Sequence, residues 1–405
     1  MYQRTIIKRI ETILKRGKSI LLLGPRQTGK TTLLQTLPLD RYISLAKLAN
    51  QVGYREDLSR LEREVEALAS RLDHLPVIAI DEIQKIPLLT DAVQDLIDRG
   101  IAQFILTGSS ARKLRRENKL NLLPGRVIPL HMDPLMLTEI PKEQQQLEEL
   151  LLYGSLPEVM SEPDLHVREE LLLAYVSVFL DEEIRQEAAV RNLTQFAHFL
   201  RLAALESGKP LNFEKISQDV GVSSTTIASH YQILEDCLIA ERIEPLSQSK
   251  TRKRLMKTPK YLLYDMGIRR IASEIGKRLP GEVMGGLFEE FVGLEILRAM
   301  HQFTPRGKLK FWRDANGPEV DWVVEHEQRF LPIEVKYTNK PTLSHFRHLK
   351  LFLNEYPAQK GYVICRIPYR QRFSDTLEAV PWRDIPLIIE EFYSFRLNHR
   401  KSSQT

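Results

Sequence analysis

The sequence contains only two cysteines, Cys237 and Cys365, and their spacing matches neither a metal-ligand pattern nor a disulfide framework. It also lacks long hydrophobic runs. The longest, such as Ser19–Leu23, fall far short of the about 18 residues that span a bilayer. Residues 1–16 carry charges throughout and lack the apolar core of a signal peptide. We therefore expect a cytoplasmic protein with no disulfide, no structural zinc site and no membrane partner.

The composition excludes disordered and collagen-like chains, because 43% of the 405 residues are hydrophobic and 27% are charged. At about 100–200 residues per domain, this length predicts two to four folding units. Lysine and arginine exceed the acidic residues by 58 to 53, a mild net charge of +5. The position of the basic residues along the chain is therefore more informative than their number.

Short apolar runs alternate with segments of helical periodicity in the first third of the chain. The runs Ile20–Leu23, Val77–Ile80 and Phe104–Leu106 are too short for helices and are typical of buried parallel strands. The alternation predicts an α/β fold with a doubly wound parallel sheet. We predict five segments: an α/β core at 1–139, a helical lid at 140–206, a winged helix-turn-helix at 207–266, an α+β domain at 267–390 and a polar tail at 391–405.

A glycine-rich loop follows the first predicted strand and matches the phosphate-binding pattern G-x-x-x-x-G-K-[ST]. Such a loop cradles phosphates with its backbone N–H groups, and the following helix N-terminus favours their negative charge. We expect Lys30 to reach the β- and γ-phosphates of ATP and the Thr31 hydroxyl to bind Mg²⁺. The predicted nucleotide-binding residues are Gly24, Pro25, Arg26, Gln27, Thr28, Gly29, Lys30, Thr31 and Thr32.

An acidic pair ends the second predicted strand. Asp81 is expected to hold Mg²⁺ through water, and Glu82 is expected to polarise the attacking water. The third strand ends in a polar tip beside Asp81, where Thr107 and Ser109 could sense the γ-phosphate. For Ser109, an ordinary helix N-cap is the alternative interpretation.

These motifs, together with Arg126 just before the last predicted strand, resemble the AAA-type ATPases that carry an arginine finger at that point. The resemblance implies that Arg126 reaches the nucleotide of a neighbouring subunit. It therefore implies a homo-oligomer, such as a ring. A local ion pair of Arg126 with a carboxylate is the alternative.

Two short amphipathic segments joined by the turn Gly221–Ser223 predict a helix-turn-helix. Its second helix is expected to present Thr225, Thr226, Ser229 and His230 to DNA. Two wing strands are expected next, and the stretch between them, residues 250–260, contains six lysines and arginines and no acid.

A cationic wing beside a recognition helix suits duplex or branched DNA, because lysine and arginine neutralise phosphates. The predicted DNA contacts in the wing are Lys250, Arg252, Lys253 and Arg254. A solvated basic loop and a winged helix that joins proteins are the alternatives.

A helix around Gly286–Ile296 precedes a predicted hairpin that contains Asp321 and the run Ile333–Lys336. This order resembles the Asp…Glu-x-Lys arrangement of the restriction-endonuclease-like superfamily. A symmetric hairpin would place Asp321 opposite Glu334, with Cβ atoms about 5 Å apart, and Lys336 on the same face. Glu289 or Glu295 from the helix could complete a metal shell. Acids that only stabilise the hairpin or touch DNA are the alternative.

The order and spacing of the motifs resemble a group of bacterial and archaeal AAA-family ATPases with a C-terminal restriction-endonuclease-like domain of unknown function. The resemblance implies ATP and Mg²⁺ as cofactors and ATPase chemistry. Three functions remain open: a DNA-acting ATPase that remodels or translocates on DNA, an ATP-gated metal-dependent DNA nuclease, and a regulatory switch ATPase whose winged helix binds protein. The matching stretches are Gly24–Thr32, Asp81–Gln84, Thr107–Ser110, Gly125–Arg126, Tyr153–Glu158, Tyr261–Gly267, Gly286–Glu295 and Glu319–Lys336.

Overall fold

The computed structural model describes residues 2–109, 125–179, 192–246, 255–278, 280–303, 307–314 and 317–402. The predicted DNA contacts of the basic wing, Lys250, Arg252, Lys253 and Arg254, lie outside these ranges. None of the described helices combines the length and the apolar character needed to cross a membrane.

The first domain is built on a parallel sheet. In the described part of the chain its strands are ordered β2-β3-β4-β1-β5. The sheet confirms the predicted α/β fold, although strand β2 and helix α3 were not predicted. The elements are α1 (Ile6–Leu14), β1 (Ser19–Leu23), α2 (Lys30–Leu34), β2 (Arg41–Ser44), α3 (Leu48–Glu56), α4 (Arg60–Ala69), β3 (Val77–Asp81), α5 (Leu89–Asp98), β4 (Gln103–Gly108) and β5 (Val127–His131).

Both faces of this sheet are buried under helices. Ile10 and Leu34, from α1 and α2, belong to the core on one face, and Val65 and Leu96, from α4 and α5, belong to the core on the other. In a strand such as Val77–Asp81, successive side chains point to opposite faces of the sheet, and both faces are covered by helices. A continuous apolar run is therefore buried on both sides. The polar carboxyl ends of such strands are left to form the site described below.

The middle of the chain is helical and ends in an antiparallel hairpin. Helices α10 and α11 are joined by a turn in which Gly221 has a φ of +76°, a conformation that glycine adopts without steric cost. The elements are α6 (Leu147–Tyr153), α7 (Pro157–Ser161), α8 (Leu165–Ala174), α9 (Leu193–Leu205), α10 (Phe213–Val220), α11 (Ser224–Asp236), β6 (Ala240–Pro245), β7 (Lys260–Leu263) and α12 (Met266–Ala272).

The C-terminal domain is a mixed sheet between helices. The described strands are ordered β12-β13-β11-β10-β9-β8-β6-β7, so the hairpin β6–β7 extends this sheet through parallel pairing of β6 with β8. The remaining elements are α13 (Gly281–Phe303), β8 (Lys308–Arg313), β9 (Glu319–His326), β10 (Arg329–Val335), α14 (Arg347–Glu355), β11 (Gly361–Cys365), β12 (Gln371–Arg372), β13 (Leu377–Pro381) and α15 (Ile385–Ser402).

The hairpin β9–β10 has the predicted register. Trp322 pairs with Ile333 and His326 with Arg329, which centres the turn between Glu327 and Gln328. Both turn residues have positive φ, 49° and 63°. Positive φ at both central positions belongs to the tight turns whose twist matches that of the flanking strands. The turn therefore determines which residues of the two strands face each other.

A buried ionic network joins the helical segment and the C-terminal domain, and its Arg298 also donates to the carbonyl oxygen of Leu135 in the ATPase domain at 3.4 Å. Arg298 of α13 donates to Glu295 (2.7 Å), to the Ser155 hydroxyl (2.9 Å) and to the carbonyl oxygen of Tyr264 (2.8 Å). Asp265 caps α12, accepts from the Ser155 N–H at 2.8 Å and lies 3.9 Å from Arg298. We call the five residues Arg298, Glu295, Ser155, Tyr264 and Asp265 the Arg298 network.

Close packing around the network leaves no room for a side chain at two positions, both of which are glycine. A Cβ at Gly154 would lie 2.0 Å from an Asp265 carboxylate oxygen, and a Cβ at Gly267 would lie 2.3 Å from the carbonyl oxygen of Tyr153. Burial raises the pKa of both Asp265 and Glu295, against the opposing effect of Arg298. The guanidinium group therefore favours the charged form of both carboxyl groups, which burial disfavours.

Replacing Arg298 by methionine should lower the free energy of unfolding by about 3–5 kcal/mol, because two buried carboxylates would lose their cation. Urea titration followed by tryptophan fluorescence measures this, since Trp312, Trp322 and Trp382 all lie in the C-terminal domain.

Two further variants sharpen that test. Arg298→Met combined with Glu295→Gln should recover part of the loss, because one unpaired charge is removed. Arg372→Met breaks an exposed ion pair with Asp375 and should change stability by less than about 0.5 kcal/mol. If Arg298→Met lowers the free energy of unfolding no more than Arg372→Met does, the network does not stabilise the fold.

Candidate active site

The predicted phosphate-binding loop lies between β1 and α2. Gly29 precedes α2 with a φ of +92°, which a side chain would disfavour. Gly24 is in close contact with the segment after β5, because a Cβ there would lie 2.2 Å from the carbonyl oxygen of Met132. The loop is therefore held against β5 by backbone packing.

Lys30 is buried at the mouth of this loop. Its Nζ donates to the carbonyl oxygens of Gly24 and Pro25, both at 2.7 Å. Thr28 closes the loop by donating to the same Pro25 carbonyl at 2.9 Å. The ammonium group thus lies within the turn of backbone that would surround the phosphates.

The predicted magnesium ligands face each other across the sheet edge. The Thr31 hydroxyl donates to Asp81 Oδ2 at 2.8 Å, and the Tyr42 hydroxyl donates to the same oxygen at 2.9 Å. Thr107 donates to the other Asp81 oxygen. Burial, and then the charge of Asp81, raise the pKa of Tyr42 to about 12. A hydroxyl and a carboxylate this close are the oxygen donors that Mg²⁺ prefers, so the residues fit this ion.

Glu82 lies next to this pair in a left-handed conformation, with a φ of +63°. Its backbone N–H donates to Thr107, and Gln84 Nε2 donates to its carboxylate at 2.6 Å. Gln84 also donates to the Ser109 hydroxyl at 3.0 Å. The two predicted sensor residues, Thr107 and Ser109, are therefore connected to both acids by hydrogen bonds.

A cavity of about 800 Å³ borders the loop, and part of its wall was not predicted from the sequence. Arg4 donates to the carbonyl oxygens of Thr28 (2.8 Å) and Asp133 (2.6 Å) and pairs with Glu139 at 3.1 Å. No motif marks Arg4, because its role depends on contacts far apart in sequence. Residues that line the cavity include Tyr2, Arg4, Ile7, Arg26, Gln27, Gly29, Lys30, Thr31, Thr32, Glu82, Leu135 and Pro157.

Arg126 lies just before β5 and has a local partner. Its Nε and Nη2 atoms lie 2.6 and 2.9 Å from the two carboxylate oxygens of Asp98, at the end of α5. His131, at the other end of β5, pairs with Leu23, which directly precedes the phosphate-binding loop. Arg126 is therefore at the sheet edge opposite the loop, about 15 Å away, and it does not reach the loop of its own chain.

The predicted recognition helix, α11, presents part of the expected surface. Thr225 is exposed and Thr226 is half-buried, and both hydroxyls lie within 2.8 Å of the Ser223 hydroxyl that caps the helix. The expectation that His230 is exposed was wrong. It packs between Phe196 and Phe199 of α9, and burial lowers its pKa.

The hairpin brings Asp321, Glu334 and Lys336 together. Lys336 Nζ lies 2.6 Å from a Glu334 oxygen and 4.0 Å from Asp321, and Asp321 also accepts from the Val335 N–H at 2.7 Å. Burial raises the pKa of Asp321 well above its ordinary value, with further contributions from Glu289 and Glu334. Burial also raises the pKa of Glu334, which Lys336 opposes.

Of the two helix acids, only Glu289 faces this group. It is paired with Lys260 at 2.9 Å, whereas Glu295 belongs to the Arg298 network. Lys260 also lies over the ring of Trp322, 4.7 Å from its centroid. In the described ranges these acids do not form a trio with all ligand atoms within 4.8 Å of one another.

Comparison with protein families divides the chain into three parts. Residues 16–141 match a family model described as an AAA domain, which indicates an AAA-type P-loop ATPase domain. Residues 144–279 match a domain of unknown function (DUF8612), and residues 284–385 match another (DUF4143).

Two relatives with 28% identity over 391 residues are uncharacterized proteins of Mycobacterium tuberculosis and Mycobacterium bovis. Each alignment covers 94% of this chain and 83% of the relative. The match therefore extends over all three parts of the chain.

Similarity to solved structures is distant. A chain from a structure of forked double-stranded DNA unwinding by two coordinating Pif1 helicases has 14% identity and a TM-score of 0.25, over 44% of this chain and 52% of that one. The delta protein of the Bacillus subtilis DNA clamp loader has 10% identity and a TM-score of 0.25, over 57% and 88%. Protein VC1899 from Vibrio cholerae has 11% identity and a TM-score of 0.22, over 93% and 97%.

Proposed function

We propose that this protein hydrolyses ATP and uses the energy to remodel or translocate on duplex or branched DNA as an oligomer. The observation that carries the ATPase part is the group at the carboxyl edge of the first sheet. There Lys30, Thr31 and Glu82 line one cavity, and the Thr31 hydroxyl donates to the buried Asp81 carboxylate behind it at 2.8 Å. Each of these groups has a role in phosphoryl transfer to water.

The roles follow from chemistry and position. Lys30 would bind the β- and γ-phosphates, and Thr31 and Asp81 would hold Mg²⁺. The ion supplies charge neutralisation on the phosphates when it is bound. Glu82 would orient the attacking water and accept its proton. The hydrogen bond from Gln84 to Glu82 supports a fixed orientation of this carboxylate.

Action as an oligomer is supported by the position of Arg126. Because Arg126 lies at the sheet edge opposite its own phosphate-binding loop, any contact with a nucleotide must be with that of another subunit. Arg126 is paired with the exposed carboxylate of Asp98. A phosphate of a nucleotide bound to a neighbouring subunit would compete with Asp98 for the guanidinium group. We therefore propose that Arg126 acts in trans.

The DNA part of the proposal rests on the hairpin and on α11. Strands β6 and β7 flank the basic stretch, and the exposed Thr225 is at the start of α11. We propose a winged helix here, with Lys250, Arg252, Lys253 and Arg254 as phosphate contacts. Lys260 does not belong to this surface, because it is buried and paired with Glu289.

Nuclease activity is a second candidate, favoured by the convergence of Asp321, Glu334 and Lys336 on one hairpin face. The pairing of Glu289 with Lys260 instead favours a structural role for these acids, in which they stabilise the hairpin of a restriction-endonuclease-like fold and do not cleave DNA. Metal-dependent nicking that Asp321→Asn abolishes would identify the nuclease.

Lys30→Ala should abolish ATP binding, whereas Glu82→Gln should bind ATP and not turn it over, because only the water-activating group is lost. Fluorescent-nucleotide binding and phosphate release measure the two steps separately. Glu62→Gln, an acid in α4 outside the cavity, is the matched control and should keep normal turnover. Undiminished turnover in Glu82→Gln would mean that another group is the base.

Arg126→Ala should reduce turnover, by as much as roughly 10³–10⁵-fold if it is a finger arginine. Mixing Arg126→Ala with Lys30→Ala subunits should restore activity, because an intact loop then faces an intact arginine. Asp98→Asn is the control: it removes the local partner and should leave turnover undiminished. Mixed oligomers that form without regaining activity would contradict action in trans.

Replacing Lys250, Arg252, Lys253 and Arg254 by alanine should weaken duplex binding and flatten its log–log salt slope, by up to about 0.9 per lost phosphate contact. Basal ATP turnover should remain, because the phosphate site is in another domain. Titration of labelled duplex at several salt concentrations measures both quantities.

A control for charge alone replaces four basic residues of the ATPase domain: Lys8, Lys15, Arg16 and Lys18. It removes the same charge and should leave the salt slope close to wild type. If the wing variant keeps its affinity and slope but loses oligomerisation or ATPase activity, the domain joins proteins, and the regulatory-switch alternative is favoured.

A further inference from the structure

Two histidines and an aspartate meet where the ATPase domain contacts the C-terminal domain. His131 ends β5, Asp133 follows two residues later, and His301 lies near the end of α13. His131 Nδ1 is 3.0 Å from Asp133 Oδ1, and His301 Nδ1 is 2.9 Å from Asp133 Oδ2. In the part of the chain that the structure describes, this is the one trio of potential ligand residues with all ligand atoms within 4.8 Å of one another.

We propose that His131, Asp133 and His301 bind a divalent transition-metal ion. Two imidazoles and one carboxylate are a ligand set for Zn²⁺, Fe²⁺ or Co²⁺, whereas Mg²⁺ and Ca²⁺ prefer oxygen donors alone. Metal–ligand bonds of about 2.0–2.2 Å place neighbouring ligand atoms about 3.0–3.5 Å apart. The two nitrogen–oxygen distances are therefore close to those of a ligand shell. A small rotation of Asp133 would direct one oxygen toward both rings.

The local charge and exposure suit a dication. Asp133 is 11% exposed, and the histidine side chains are 27% and 26% exposed, so an ion can reach the ligands from solvent. Two cations touch the backbone of the site: Arg4 donates to the Asp133 carbonyl oxygen and is paired with Glu139, and Arg9 donates to the His301 carbonyl oxygen. With both imidazoles deprotonated, as metal binding requires, the ligand set would carry the single negative charge of Asp133.

An ion at this position would fasten two domains together. Met132, between two of the ligands, packs against Gly24 at the start of the phosphate-binding loop. Arg9 of α1 donates to the His301 carbonyl oxygen at 2.7 Å, which adds a second contact between α13 and the ATPase domain. The metal would therefore hold α13 against the strand end that borders the nucleotide site. This inference does not depend on ATP hydrolysis or on DNA binding.

The test is Co²⁺ titration of the nucleotide-free full-length protein without a histidine tag, followed by visible ligand-field absorption and by calorimetry. We expect one Co²⁺ per chain with imidazole ligation, displaced by Zn²⁺, and a rise in melting temperature with added Zn²⁺. His131→Asn and His301→Asn should each weaken Co²⁺ binding at least tenfold, because each removes a ligand. Loss of even an outer-sphere partner costs roughly 10–100-fold.

Matched controls separate this site from the other acidic groups. Asp321→Asn with Glu334→Gln removes the C-terminal carboxylates, and Asp81→Asn removes the nucleotide-site acid; neither should change the ligand-field signal. A wild-type protein that binds no Co²⁺ would overturn the proposal without any variant and would leave only a hydrogen-bonded His–Asp–His group. Unchanged Co²⁺ affinity in folded His131→Asn and His301→Asn proteins would also overturn it.

Discussion

The guanidinium group of Arg298 is the point at which the three parts of the chain depend on one another. It comes from α13 and contacts Leu135 of the ATPase part at 3.4 Å, Ser155 of the helical segment and Tyr264, which follows the hairpin. A buried cation of this kind requires its carboxylates, and they require it, since any member left alone would be a desolvated charge. The domains are therefore joined by an arrangement that tolerates little independent movement at this point.

The same stretch of chain connects this network to the nucleotide site. Met132 packs against Gly24 of the phosphate-binding loop, and a few residues later the Leu137 N–H donates to Glu295 of the Arg298 network. Apolar residues of the stretch, such as Leu135, belong to the same core as Phe288 and Ile333 of the C-terminal domain. A movement of the phosphate-binding loop and a movement of α13 would therefore both displace the same short segment, residues 132–137.

Sequence patterns predicted the parts of the structure that depend on local order. Strands β1, β3 and β4 of the ATPase sheet follow from continuous apolar runs, and the phosphate-binding loop follows from its glycines and Lys30. The register of β9 and β10 follows from symmetry about Glu327 and Gln328. In each case the neighbours that matter are close in sequence or are placed by the regular geometry of a sheet.

The missed features depend on partners that are far apart in sequence. Arg4 reaches Thr28 and Asp133, and His301 reaches Asp133. His230 has the helical position of an exposed residue, but α9 covers it with two phenylalanines. Strand β2 was missed because it is short and only its last two residues, Ile43 and Ser44, are buried. These contacts form only when the helices and strands pack together, so local sequence patterns do not predict them.

We propose that one polypeptide couples ATP hydrolysis to the remodelling of DNA. The most direct measurement is the rate of Mg²⁺-dependent ATP turnover by the full-length protein, alone and with single-stranded, duplex and branched DNA at fixed ionic strength. We expect measurable basal turnover that duplex or branched DNA increases. Turnover that none of these DNA structures changes would contradict the DNA-acting ATPase, and absence of turnover under all conditions would contradict the ATPase itself.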